Sequence, residues 1–132
     1  MALIVVAEDD SDVRAVTSRV LQRAGHTVVA AADGAAALQA VRQHRPQLVV
    51  SDIDMPRMSG VQLCQAIRAD PATAAVPVLF VSGSLVPGDS RPVDAQATAM
   101  LRKPFDRNEL LTWVDKLLQT GHHDGQAPMT CP

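Results

Sequence analysis

Leu3-Ile4-Val5-Val6-Ala7 is apolar at every position, rich in β-branched side chains, and stopped abruptly by Glu8-Asp9-Asp10. A strand with one wet face alternates apolar and polar residues; a run without alternation is covered on both faces, the habit of parallel sheets. The pattern returns in Leu48-Val49-Val50, closed by Ser51-Asp52, and in Val78-Leu79-Phe80-Val81, closed by Ser82-Gly83. A weaker copy, Ala99-Met100-Leu101, precedes Lys103-Pro104, and His26 to Ala31 (HTVVAA) reads as one more short strand. Helical spacing separates these runs. From Ser11, the residues Val13, Val16, Val20, Leu21 and Ala24 share a face, and Gly25 is placed to end the helix. Ala35 to Val41 and Val61 to Ala69 form two further helices, and Asp106 with Glu109 makes a capping-box start to one that runs through Leu118. Strict alternation of strand and helix predicts an α/β fold: a doubly wound, five-stranded parallel sheet with helices on both faces. Between Ser82 and Ala97, Pro87, Gly88 and Pro92 fall where a fourth crossover helix belongs, so that helix is expected to be short or irregular. Residues 1–120 are expected to form one domain, and the Gly- and Pro-bearing stretch 121–132 a mobile tail.

With 132 residues, 47% of them apolar and 20% charged, the chain can bury one core and leaves no room for a multidomain machine. The aromatic residues are Phe80, Phe105 and Trp113, too few for a base-stacking platform, and a net charge of −2 without basic runs gives phosphate backbones nothing to hold. Direct nucleic-acid binding is therefore not expected. No apolar run approaches a membrane span or signal-peptide core, and Cys64 and Cys131 lie too far apart for CxxC chemistry, so the reading is cytoplasmic with two free thiols.

In an open parallel sheet, ligands sit outside the carboxyl ends of the strands. The polar residues there are Glu8 and Asp9 after the first strand, Asp52 after the third, Ser82 after the fourth and Lys103 after the fifth. Acids on adjacent strands raise each other's pKa unless a cation intervenes. Hard, all-oxygen donors point to Mg²⁺, which takes one or two carboxylates and leaves room for a phosphate oxygen.

These residues, with Asp52 set in SDIDMPRMSG and Lys103 in the Lys103-Pro104-Phe105 triplet, closely resemble the receiver domain of two-component response regulators, from Leu3 to about Leu118. The resemblance implies a flavodoxin-like sheet with strand order 2-1-3-4-5. It implies that Asp52 is the phosphoacceptor, taking a phosphoryl group from a phosphohistidine of a sensor histidine kinase or phosphotransfer protein. Asp9 and Asp52 would bind Mg²⁺ directly, Glu8 through water, and Asp54 through its backbone carbonyl. Ser82 and Lys103 would receive the phosphoryl oxygens, and a cis Lys103-Pro104 peptide would aim the lysine. Such a module catalyses only its own phosphorylation and dephosphorylation, and its output passes through a downstream effector or an output domain outside this chain. The family couples the Ser82 position to an aromatic residue on the fifth strand; here that residue is Met100, flexible and without a ring.

Other residues have plainer readings. Asp10 and Asp12 beside Ser11 are helix-start residues, and the Trp113 stripe with Leu110, Leu111, Val114, Leu117 and Leu118 is core. Cys64 reads as a small buried hydrophobe, and His122 and His123 as solvated tail residues. Two other functions share parts of the pattern. One is a receiver-like interaction module that works without phosphorylation. The other is a phosphatase resembling the haloacid dehalogenases, with Asp52-Ile53-Asp54 as its DxD, although that pair normally follows the first strand.

Overall fold

The computed structural model describes residues 2–83, 97–103 and 105–120. The expected fourth crossover, Ser84, Pro104 and the 121–132 tail with His122, His123 and Cys131 lie outside the described residues. Five strands, β1 (Leu3–Ala7), β2 (Thr27–Ala31), β3 (Leu48–Ser51), β4 (Val78–Ser82) and β5 (Ala99–Arg102), pair in parallel in the order β2-β1-β3-β4-β5. Four helices are described: α1 (Ser11–Arg23), α2 (Gly34–His44), α3 (Gly60–Ala69) and α4 (Arg107–Thr120). This is the doubly wound parallel sheet expected from the alternation of apolar runs, in the flavodoxin-like strand order that the resemblance implies. None of these helices is long and apolar enough to cross a membrane.

The unbroken apolar runs are explained by two cores, one on each face. Strand side chains alternate between faces, so Val5, Ala7, Val49, Val78 and Phe80 pack with Ala37, Val41, Leu63 and Ile67 of α2 and α3. Their sequence neighbours Ile4, Val6, Val50 and Leu79, together with Leu101 of β5, pack with Leu21 of α1 and Leu110, Trp113, Val114 and Leu117 of α4. The Trp113 stripe is therefore core, as its spacing predicts.

The helix boundaries follow local capping chemistry. Asp10 Oδ1 accepts from the amides of Asp12 and Val13 at 2.9 and 3.1 Å, which confirms the helix-start reading of this acid run. Gly25, at φ 99°, turns the chain out of α1. Asp106 and Glu109 exchange side-chain-to-amide hydrogen bonds at the start of α4. Sequence reading starts α2 at Ala35 and α3 at Val61, one residue late in each case. Asp33 caps the first through Ala36 N–H at 2.8 Å, and Ser59 with Gln62 forms a capping box on the second.

Candidate functional site

The strand order reverses direction between β1 and β3: β1 leads outward to β2, while β3 leads the other way to β4 and β5. At such a switch point the connecting loops part and leave a crevice at the carboxyl ends. The crevice is floored by the residues that end the two strands. Asp52 N–H donates to the Ala7 carbonyl at 2.9 Å, and Glu8 N–H donates to the Ala31 carbonyl at 3.0 Å, so both acids stand on backbone tied into the sheet. One carboxylate oxygen each from Glu8, Asp9 and Asp52 lies within 4.8 Å of the other two. Glu8 and Asp52 are buried, and Asp9 is exposed.

Lys103 closes the site from the far edge. Its Nζ lies 2.6 Å from Glu8 Oε1 and 3.5 Å from Asp52 Oδ2, a link across 95 and 51 residues of sequence. Lys103 N–H donates to the Ser82 carbonyl at 3.0 Å, and β4 and β5 run in register from Leu79↔Ala99 to Ser82↔Arg102. That register brings the buried Ser82 and the lysine to the same end of the sheet as the acids.

The electrostatics show a surplus of negative charge. Burial pushes the Glu8 carboxyl above its ordinary pKa; the hydrogen bond from Lys103 opposes this, and the charge of Asp52 adds to it. Burial alone would lower Lys103, yet the hydrogen bond to Glu8 and the charges of Asp52 and Glu8 outweigh it and hold its proton above the usual lysine range. Glu8 thus binds its proton more tightly chiefly because it is buried, and Lys103 because two carboxylates face its ammonium. A hard divalent cation on all-oxygen ligands matches this donor set and its charge.

Each carboxylate is aimed by its surroundings. Ile53 N–H donates to Asp52 Oδ1 at 2.7 Å, which leaves Oδ2 facing Lys103. Glu8 Oε2 accepts from Asp10 N–H at 3.2 Å. Arg14, which sequence reading passes over, donates from Nη1 to the Glu8 carbonyl at 2.9 Å and so braces the turn between β1 and α1. Its signal in the sequence is only a basic residue one helical turn past an acid run. Asp54 is exposed and lies outside the carboxylate cluster. Met100 pairs with Phe80 and packs partly buried on the α2/α3 face; Ser82, two residues beyond Phe80, points to the same side.

Cys64 is fully buried, and burial pushes its thiol up to about 11. In a Cys131→Ser background, a thiol reagent at pH 8 is therefore expected to find no fast-reacting cysteine until denaturant is added; rapid labelling of the folded protein would contradict this packing.

A family model for the response regulator receiver domain matches residues 4–115. The chain is 39% identical over 118 residues to the transcriptional regulatory protein PrrA of Mycobacterium tuberculosis, a match covering 88% of this chain and 49% of PrrA. It therefore spans about half the length of that relative. It is 32% identical over 122 residues to the response regulator receiver protein CpdR of Brucella abortus, covering 89% of this chain and 98% of CpdR. The structure of the chemotaxis response regulator CheY4 of Vibrio cholerae superposes with a TM-score of 0.84 at 30% identity, covering 89% of this chain and 98% of CheY4. The receiver domain of sensor histidine kinase PA1611 from Pseudomonas aeruginosa, solved with a magnesium ion coordinated in its active-site cleft, does so with 0.84 at 25% identity, covering 89% and 98%. The sheet order is the one that these solved receivers share, and the family model covers most of the sequence: the chain belongs to the receiver-domain family of two-component response regulators.

Proposed function

We propose that this receiver accepts a phosphoryl group on Asp52 from the phosphohistidine of a sensor histidine kinase or phosphotransfer protein, in a Mg²⁺-dependent reaction. The observation that carries this reading is Lys103 Nζ lying between Glu8 and Asp52 above the three-acid cluster. Glu8, Asp9 and Asp52, with the main-chain carbonyl of Asp54, are the residues that would hold the ion. Bound there, Mg²⁺ would neutralise charge on the phosphoryl oxygens. The magnesium-bearing cleft of the PA1611 receiver supports that assignment.

The chain's own residues do the rest. Phosphoryl transfer asks for in-line positioning and charge neutralisation more than for covalent invention. An Asp52 oxygen forms the new O–P bond as the donor's N–P bond breaks, and the electron pair returns to the imidazole. Ile53 N–H fixes the carboxylate's orientation, and the Lys103 ammonium and Ser82 hydroxyl donate to the arriving oxygens. Hydrolysis of the acyl phosphate restores Asp52 and erases the signal. A groove of about 560 Å³ lined by Val13, Val16, Val20, Phe105 and Leu110 opens beside Lys103, and it supports docking of the phosphoryl donor there. Output then depends on Ser82 and Met100 and passes to an effector or output domain. A cytoplasmic location, where such a donor would meet the chain, is part of the same proposal.

Intact mass spectrometry after incubation with Mg²⁺ and acetyl phosphate tests the reading. One labile phosphoryl adduct is expected, absent with EDTA and in Asp52→Asn. Absence of the adduct, together with failure of beryllofluoride to bind, would overturn it in favour of a phosphorylation-independent interaction module.

A further inference from the structure

The segment that leads from Asp52 to α3 contains a strained turn. Met58 N–H donates to the Pro56 carbonyl at 2.7 Å across Arg57, whose φ is 67°. A three-residue turn of that hand is rare for a residue with a side chain and persists only where its surroundings over-determine it. Two contacts do so, from the first residue of α2 and from its N-cap. Gly34 packs so closely that a Cβ there would lie 2.1 Å from the Met58 carbonyl oxygen. Arg57 Nη1 reaches Asp33 Oδ2 at 2.9 Å, and the other oxygen of that carboxylate caps α2 through Ala36 N–H at 2.8 Å. The Ala36 amide, opposed by burial and helped by Arg57, holds Asp33 below the usual carboxylate range.

We propose that Arg57 and Asp33 are a positioning pair that fixes the 53–59 loop against α2 and thereby sets the affinity of the acidic site for Mg²⁺. The inference rests on the phosphoacceptor reading above. The loop leaves the site directly: Ile53 N–H orients Asp52, the Ile53 carbonyl accepts from Gly60 N–H at 2.7 Å, and Asp54 stands between these anchors and the strained turn. Released from α2, the turn relaxes, and the backbone beside Asp52 must then be ordered when the ion binds, which weakens binding. The Arg57 side chain is 77% exposed, so its charge is screened by water and its effect on the ion comes through the backbone it holds.

Calorimetric Mg²⁺ titration of the unsubstituted chain, Arg57→Gln, Arg57→Lys, Arg57→Gly, Asp33→Asn and the Arg57→Gln/Asp33→Asn double variant tests this. Arg57→Gln is expected to weaken binding about fivefold, the scale of one partly exposed ion pair. Arg57→Lys should restore most of the affinity. Asp33→Asn, which keeps the capping oxygen, should match Arg57→Gln, and the double variant should be no worse than either single one. Arg57→Gly accepts the positive φ without strain but lacks the guanidinium, and should bind as weakly as Arg57→Gln. Thermal melts check that each variant is folded, so a change in Kd reports on the native site and not on stability. An unchanged Kd in Arg57→Gln, or wild-type binding by Arg57→Gly, would overturn the inference while leaving the phosphoacceptor reading intact. Absence of Mg²⁺ binding by the unsubstituted chain would overturn both.

Discussion

Lys103→Met is expected to slow phosphoryl uptake from acetyl phosphate by about a hundredfold while tightening Mg²⁺ binding severalfold. The two effects have opposite signs because the lysine stands in two relations to the site. Toward the incoming phosphoryl group it is a preorganised, partly buried donor, and removal of one such donor typically costs about 10²–10³ in rate. Toward a metal ion it is a like charge sharing the same acids, 2.6 Å from Glu8 Oε1 and 3.5 Å from Asp52 Oδ2, so its loss removes a repulsion. Metal-free Lys103→Met should also be destabilised, since Glu8, 2% exposed, loses its closest counter-charge, and Mg²⁺ should recover much of that stability. Adduct growth followed by mass spectrometry, Mg²⁺ calorimetry and melts with and without Mg²⁺ check the three parts. Uptake at the wild-type rate would show that Lys103 only ties the sheet edge to Glu8.

Gly60→Ala is the substitution expected to disturb the fold most, by about 3 kcal/mol in urea unfolding. Helix propensity alone predicts the opposite, because Ala is favoured over Gly by about 1 kcal/mol in a helix. Sterics decide the sign: a Cβ at Gly60 would lie 2.0 Å from the Asp52 carbonyl oxygen and 2.8 Å from Ile53 Cα. Both are main-chain atoms of the segment that carries Asp52, and neither can swing aside as a side chain can. The damage should therefore reach chemistry as well as stability, with slower adduct formation in whatever fraction stays folded. Gly83→Ala is the matched control, since among the described residues its Cβ would meet only Lys103 Cβ, at 3.9 Å. Equal stability of Gly60→Ala and wild type would mean that α3 does not dock as tightly on β3 as described.

These glycines mark the limit of what the sequence shows. Gly60 stands after Pro56 and Ser59 and reads as loop punctuation; its actual constraint, the approach of α3 to the Asp52 carbonyl, exists only once β3 and α3 are packed. The strands were legible for the opposite reason. Val5, Val49 and Leu79 sit in runs apolar at both parities, and that pattern has few explanations other than a sheet covered on both faces. The acids, Ser82 and Lys103 were legible because each terminates such a run, and a parallel sheet gathers all its carboxyl ends at one edge. Arg57 and Asp33 were not. Each looks like an ordinary loop charge, they lie 24 residues apart, and only the packing of Gly34 against Met58 makes them neighbours. Asp33 did carry a local signal, an Asp-Gly before an Ala-rich helix, which marks an N-cap but says nothing about its second partner.

The central claim is that Asp52 and no other acid of the cluster carries the phosphoryl group. Borohydride reduces an acyl phosphate to the alcohol, so trapping after acetyl phosphate treatment converts the modified aspartate into homoserine, and peptide mass spectrometry then locates it. The expected result is homoserine at position 52, dependent on Mg²⁺. Reduction at Asp9 or Asp54, or a modified glutamate at position 8, would contradict the account.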